Sequence, residues 1–108
     1  MKQGEIWEYI HPRPARRDDE RTPYRIILSA DYLLAAPQNW VLAAPIDRFD
    51  PDILVSVTLT EQDPLPGGWV RLDRIATLYR PWLRGPVGQV GEGTLEQIAT
   101  LLRATFDV

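Results

Sequence analysis

The apolar and polar positions of the chain alternate with strand spacing over most of its length and switch to helical spacing only at the end. Residues 4–10, Gly-Glu-Ile-Trp-Glu-Tyr-Ile, set Ile6 between Glu5 and Trp7 among clustered aromatics, which predicts a strand. Pro23 to Ala30 has a continuous apolar centre, Ile26-Ile27-Leu28, and predicts a second. Trp40 to Ile46 predicts a third, its end marked by Pro45. Ile53, Val55, Val57 and Leu59 alternate with Leu54, Ser56 and Thr58, the pattern of a half-buried strand. Trp69 to Leu78 predicts the longest strand. There Val70 and Leu72 share a face, Arg74 interrupts it and Ile75 falls on the other, so a bulge is expected near Asp73-Arg74. Val87 to Val90 predicts a short last strand between Gly85 and Gly91.

Leu95, Ile98, Ala99, Leu102 and Phe106 recur at helical spacing and form one apolar stripe. Thr94-Leu95-Glu96-Gln97 reads as a capping box, with Thr94 as the N-cap. His11-Pro12-Arg13-Pro14 ends the first strand, because proline cannot donate to a ladder. Residues 13–22 are polar and predict a mobile loop. A helical turn is expected over Tyr32–Ala36, stopped by Pro37. Residues 47–52 form an acidic loop, and Pro64-Leu65-Pro66-Gly67-Gly68 a turn. Short antiparallel strands need closure or a covering helix to hide their edges, so a small barrel with one C-terminal helix is the expected architecture.

At 108 residues the chain is one domain's worth of protein, and neither a linker nor a repeat divides residues 1–108. Cysteine is absent, which excludes a disulfide framework, a thiolate metal site and a cysteine nucleophile. A single histidine, His11, excludes a multi-histidine metal site within one chain. No apolar run approaches the ~20 residues of a membrane helix, and no apolar stretch follows Lys2 as a signal peptide requires. A cytoplasmic protein is expected.

The charge is unevenly spread, and this directs attention to particular segments. Lys2, Arg13, Arg16, Arg17, Arg21 and Arg25 lie in the first 30 residues, and Arg71, Arg74, Arg80 and Arg84 lie between 67 and 90. Asp31, Asp47, Asp50, Asp52, Glu61 and Asp63 occupy the stretch between, against Arg48 alone. Arginine suits bidentate contact with phosphate. If the two arginine-bearing segments meet in space they make a basic groove; otherwise they are ordinary surface ion pairs. His11 is the one side-chain type here suited to proton transfer near neutral pH when unperturbed, although a solvated loop histidine is the plainer reading. Trp82, between Arg80-Pro81 and Leu83-Arg84, is placed to stack a base or a partner. Asp47, Asp50 and Asp52 lack the glycine and distal glutamate of a calcium loop.

Several segments resemble one known family in the same order along the chain. Lys2-Gln3-Gly4-Glu5-Ile6-Trp7 resembles the opening of the MazF/PemK toxins of toxin–antitoxin systems. Pro23-Tyr24-Arg25-Ile26-Ile27-Leu28-Ser29 resembles their second strand, Trp40–Ile46 the strand ending in Pro-Ile, and Gly68–Leu78 a leucine-aspartate-glutamine-valine segment. Val87-Gly88-Gln89-Val90 and the following helix resemble the family's end. The resemblance implies a small SH3-like barrel with a C-terminal helix, a homodimer and a cognate antitoxin partner. It also implies cleavage of single-stranded RNA without metal or other cofactor, by attack of the 2′-hydroxyl on the adjacent phosphate.

In that family an arginine of an Arg-Pro motif and a threonine or serine after Pro-Ile carry the chemistry. Here Thr22 precedes Pro23, flanked by Arg21 and Arg25, and Asp47 follows Pro45-Ile46. Arg21 or Arg25 is then expected to stabilise the transition state, with Asp47 or His11 moving the proton, and Arg13, Arg16, Arg17, Arg74, Arg80 and Trp82 holding RNA. CcdB, of the same superfamily, leaves a second reading open: a non-catalytic toxin that inhibits DNA gyrase or another protein. A third is a degenerate toxin that binds only its antitoxin.

Overall fold

In a computed structural model the described residues are 1–10, 21–65 and 67–106, without the side chains of Arg21 and Phe106. The strands are β1 (Glu5–Tyr9), β2 (Arg21–Ile27), β3 (Trp40–Asp47), β4 (Ser56–Thr58), β5 (Trp69–Arg71), β6 (Ala76–Tyr79) and β7 (Leu83–Gln89). Two helices join them, α1 (Asp31–Leu34) and α2 (Glu92–Phe106). All pairings are antiparallel, in the order β4-β5-β3-β2-β1-β7, with β6 also on β3. The sheet curls as a barrel does but does not close: β4 and β7 are its ends.

β3 organises the curl. Its second half pairs with β5 (Ile46↔Val70) and its first half with β6 (Ala43↔Ala76). Between those pairs β3 advances three residues and its partner six. The three extra residues, Leu72–Arg74, wind into a 3₁₀ turn. The bulge expected near Asp73-Arg74 is therefore real, but it splits the predicted strand 69–78 in two. A similar excess occurs in β2: from Arg21↔Asp47 to Arg25↔Pro45, β2 advances four residues and β3 two.

Other boundaries move for physical reasons. The predicted strand 53–59 is regular only over Ser56–Thr58. The last strand begins at Leu83, directly after a 3₁₀ turn at Arg80–Trp82, rather than at Val87. The helical turn before Pro37 is found at Asp31–Leu34.

Successive strand residues face opposite ways, and each face has its own core. Ile6, Ile26, Ala44, Ile46, Val70 and Ile98 belong to one, against which Leu95, Leu101 and Leu102 of α2 pack. Ile27, Leu34, Val41, Ala43 and Leu83 belong to the other, with Trp7, Tyr9 and Leu78 beside them. The helical stripe does what its spacing predicts: Ile98 is 1% exposed.

The start of α2 corrects the capping-box expectation. The helix begins at Glu92, so Thr94 lies inside its first turn. Leu95 N–H donates to the Gly91 carbonyl, the first helical bond. The cap comes from a distant loop: Asp63 Oδ1 accepts from Gly91 N–H at 2.8 Å, and Asp63 Oδ2 accepts from the Thr94 hydroxyl at 2.7 Å. Oδ2 also accepts from Thr60 N–H (2.8 Å) and the Thr60 hydroxyl (3.0 Å). Burial opposes ionisation of Asp63, but these four donors outweigh it and hold the carboxyl below its ordinary range. A carboxylate at a helix N-terminus also meets the positive end of the dipole.

Candidate functional site on the Arg25 face

The ladder decides which side chains share a face, because directly opposed residues point the same way. One row across the sheet is Trp7, Arg25 and Pro45. The next is Asp47, Trp69 and Thr58. Arg25 and Asp47 therefore lie on the same face, in rows separated by about 7 Å along β3.

Arg25 is held rather than loose. Its Nη1 donates to the Thr22 carbonyl at 2.7 Å and the Tyr24 carbonyl at 2.8 Å. Its guanidinium sits 5.4 Å from the centroid of the Tyr9 ring, a cation–π contact. The two extra residues of β2 provide the carbonyls that fix it, so the bulge acts as a mount. Beside it is a pocket of about 180 Å³ walled by Tyr9, Arg25, Pro45, Ala76, Leu78 and Arg74. Arg74 reaches this pocket because the 3₁₀ turn re-aims it. The arrangement offers an anion two guanidinium groups, one already anchored, which lowers the entropy lost on binding.

Asp47 lies in a different environment from that of an exposed loop acid. It is 1% exposed. Its Oδ2 accepts from Arg71 Nη1 at 2.9 Å. The rest of that guanidinium grips Asp73: Nε to Oδ1 at 2.8 Å and Nη2 to Oδ2 at 2.7 Å. The Asp73 hydrogen bonds first, then those of Asp47, raise the Arg71 pKa beyond its ordinary value despite desolvation. The same Arg71 contact lowers that of Asp73. One cation thus serves two carboxylates. The second oxygen of Asp47, Oδ1, is buried with no hydrogen-bond partner among the described residues. Asp47 also contributes to the wall of a pocket of about 270 Å³, with Thr22, Tyr24, Ile46, Arg48 and Gly68.

The remaining candidates separate. Trp82, 37% exposed, packs edge-on against Tyr79 at 5.3 Å and lies 6.3 Å from Tyr9. Tyr79 meets Trp40 at 5.3 Å. Trp82 thus joins Tyr79 and Trp40 to the Arg25 pocket through Tyr9. Arg80 turns away and donates to the Leu34 carbonyl at 3.0 Å, tying α1 to the sheet. Arg21 opposes Asp47 in the ladder, and its side chain is outside the described set. His11, Arg13, Arg16 and Arg17 lie outside the described residues. Among the described residues no cluster of three ligating side chains could hold a metal ion.

Arg71 was not singled out from sequence. Its signal was a charge between Val70 and Leu72 in an apolar strand, a position where an unpaired guanidinium is costly. That signal calls for a buried carboxylate but does not say which one.

Comparisons with known proteins agree with this architecture. The family model described as PemK-like, MazF-like toxin of type II toxin–antitoxin system matches residues 2–106. No curated protein matches the chain in sequence. Among solved structures, an endoribonuclease from Mycobacterial species is 21% identical, with a TM-score of 0.78 over 100% of this chain and 92% of that one. An endoribonuclease in complex with its cognate antitoxin, also from Mycobacterial species, is 21% identical, with a TM-score of 0.79 over 100% and 96%. A MazE–MazF crystal structure from Deinococcus radiodurans is 17% identical, with a TM-score of 0.72 over 97% and 93%.

Proposed function

The chain belongs to the PemK-like, MazF-like toxins of type II toxin–antitoxin systems, and from that premise we propose that it is an endoribonuclease that cleaves single-stranded RNA. The observation that carries this reading is the Arg25 guanidinium, mounted on two carbonyls and an aromatic ring at the wall of a pocket it shares with Arg74.

In this reading Arg25 and Arg74 hold the scissile phosphate, and Arg25 stabilises charge that develops on its oxygens. The 2′-hydroxyl oxygen attacks the adjacent phosphorus. The bond from phosphorus to the 5′-oxygen breaks and that oxygen takes a proton from water, leaving a cyclic phosphate and a 5′-hydroxyl. Asp47 Oδ1 is the acceptor for the 2′-hydroxyl proton, since Oδ2 is committed to Arg71. Arg71 positions that carboxylate. Reaching Oδ1 requires the neighbouring pocket to open by a small movement of the Gly67-Gly68 segment. Trp82 and Tyr9 offer stacking surfaces for flanking bases. We further propose that the toxin acts as a homodimer in the cytoplasm and is blocked by a cognate antitoxin. Solved relatives include complexes of that kind, and among the described residues no helix is long and apolar enough to cross a membrane.

The test is incubation of the purified chain with single-stranded RNA in EDTA, followed by mapping of the new ends. Defined cuts with 5′-hydroxyl ends, lost in Arg25→Ala, support the reading. Intact RNA at high protein excess, with wild-type protein shown to be folded, rejects it.

A further inference from the structure

β4 ends the sheet, and its outer edge is legible from the ladder on its inner edge. Leu59 N–H donates to the Gly68 carbonyl, and Leu72 N–H donates to the Val55 carbonyl. Val55, Val57 and Leu59 thus spend their backbone groups on the β5 side. Antiparallel alternation then turns the N–H and C=O of Ser56 and Thr58 outward. β4 has no second strand partner among the described residues. An open edge of this kind is a template for another strand.

That edge forms one wall of a cleft of about 850 Å³, and α2 forms the other. Its apolar lining comes from Val57, Leu59, Leu101 and Ala104, and Leu54 stands at the rim, 94% exposed. The volume falls within the roughly 300–1,000 Å³ of ligand clefts. Among the described residues the only charged side chain in the lining is Glu96. A phosphate backbone would meet a carboxylate and no cation among the described lining residues, so RNA is a poor occupant. A peptide satisfies every feature at once: its backbone pairs with Ser56 and Thr58, its alternate side chains enter the apolar floor, and a basic residue meets Glu96.

We propose that the cleft between β4 and α2 is a docking site for an extended segment of a partner protein, which adds as a further strand to β4 and turns apolar residues and one basic residue, at alternate positions, toward α2. This does not depend on RNA cleavage: the cleft lies on the α2 side of the sheet, away from Arg25.

The experiment begins with a phage-displayed library of random heptapeptides selected on the full chain, after which the best peptide is synthesised. Selected sequences should carry apolar residues at every second position, with a lysine or arginine at one of those same-face positions to meet Glu96. The peptide should slow amide exchange at Ser56 and Thr58. Thr58→Pro removes an N–H that the β5 ladder does not use, and should weaken the peptide at least tenfold while leaving the thermal midpoint within a few degrees. Leu54→Ser, at an almost fully exposed position, removes an apolar contact without adding charge, should weaken it as well and guards against misfolding of the proline variant. Selection of acidic or non-alternating peptides, or unchanged affinity in both variants, would overturn the proposal. So would protection of the Ser56 and Thr58 amides by RNA. A wild-type dimer that falls apart in both variants by light scattering would show that a second copy of the chain covers the edge instead.

Discussion

Replacing Asp63 by asparagine changes one atom and should unsettle the whole C-terminal helix. The carboxylate accepts from four donors, and two of these are backbone N–H groups on different oxygens: Gly91 on Oδ1 and Thr60 on Oδ2. An amide can accept on only one side. Whichever way it turns, its NH₂ confronts one of the two N–H groups, while the hydroxyls of Thr60 and Thr94 can rotate to adapt. Asp63 is 5% exposed, so water does not easily replace the lost acceptor. A buried donor left unmet costs about 1–3 kcal/mol, and loss of the charged cap adds about 1 kcal/mol. A total of about 2–4 kcal/mol corresponds to a fall in Tm on the order of 10–20 °C for a domain of this size. The assay is thermal unfolding followed by circular dichroism from pH 7 to pH 2. The folded-state pKa of Asp63 lies below its unfolded value, so its contribution is fully present above about pH 4 and is lost as pH falls through the folded pKa. Wild type should therefore lose its advantage over Asp63→Asn in acid. An Asp63→Asn protein that melts within 2 °C of wild type at pH 7 refutes the cap.

Three further outcomes follow from the same structure. Arg71→Leu strands the buried Asp47 carboxylate and should cost about 3–5 kcal/mol in chemical denaturation, whereas adding Asp47→Leu should recover much of the loss; equal instability of single and double variants would contradict the pairing. Gly68→Ala places a Cβ about 2.8 Å from the Ile46 side chain and should destabilise by about 1–3 kcal/mol, read as a lower urea midpoint with unchanged slope. Arg25→Ala should reduce RNA cleavage by roughly 10²–10³-fold with RNA binding weakened less, and a variant cleaving at more than a tenth of the wild-type rate would move the anion site elsewhere.

Periodicity was enough to place most of the strands along the chain, to set Val70 and Leu72 apart as an apolar pair, and to mark one apolar stripe on α2. These are local properties: the side-chain period of a strand or helix is set by backbone geometry, and burial of the apolar face follows from the hydrophobic effect. Even the bulge at Asp73-Arg74 was legible, because a phase break in the pattern demands extra residues. Partners over long sequence distances were not. Thr94-Leu95-Glu96-Gln97 carries the letters of a capping box, yet the cap is Asp63, 31 residues before Thr94. Asp47 looks like an acidic-loop residue, yet it is bound to Arg71, 24 residues on. A pattern states which way a side chain points; only the curl of β3, which draws β2, β5 and β6 together, decides what it meets. For the same reason Arg25 and Arg74, both visible as arginines, became the two sides of one pocket only when the sheet folded.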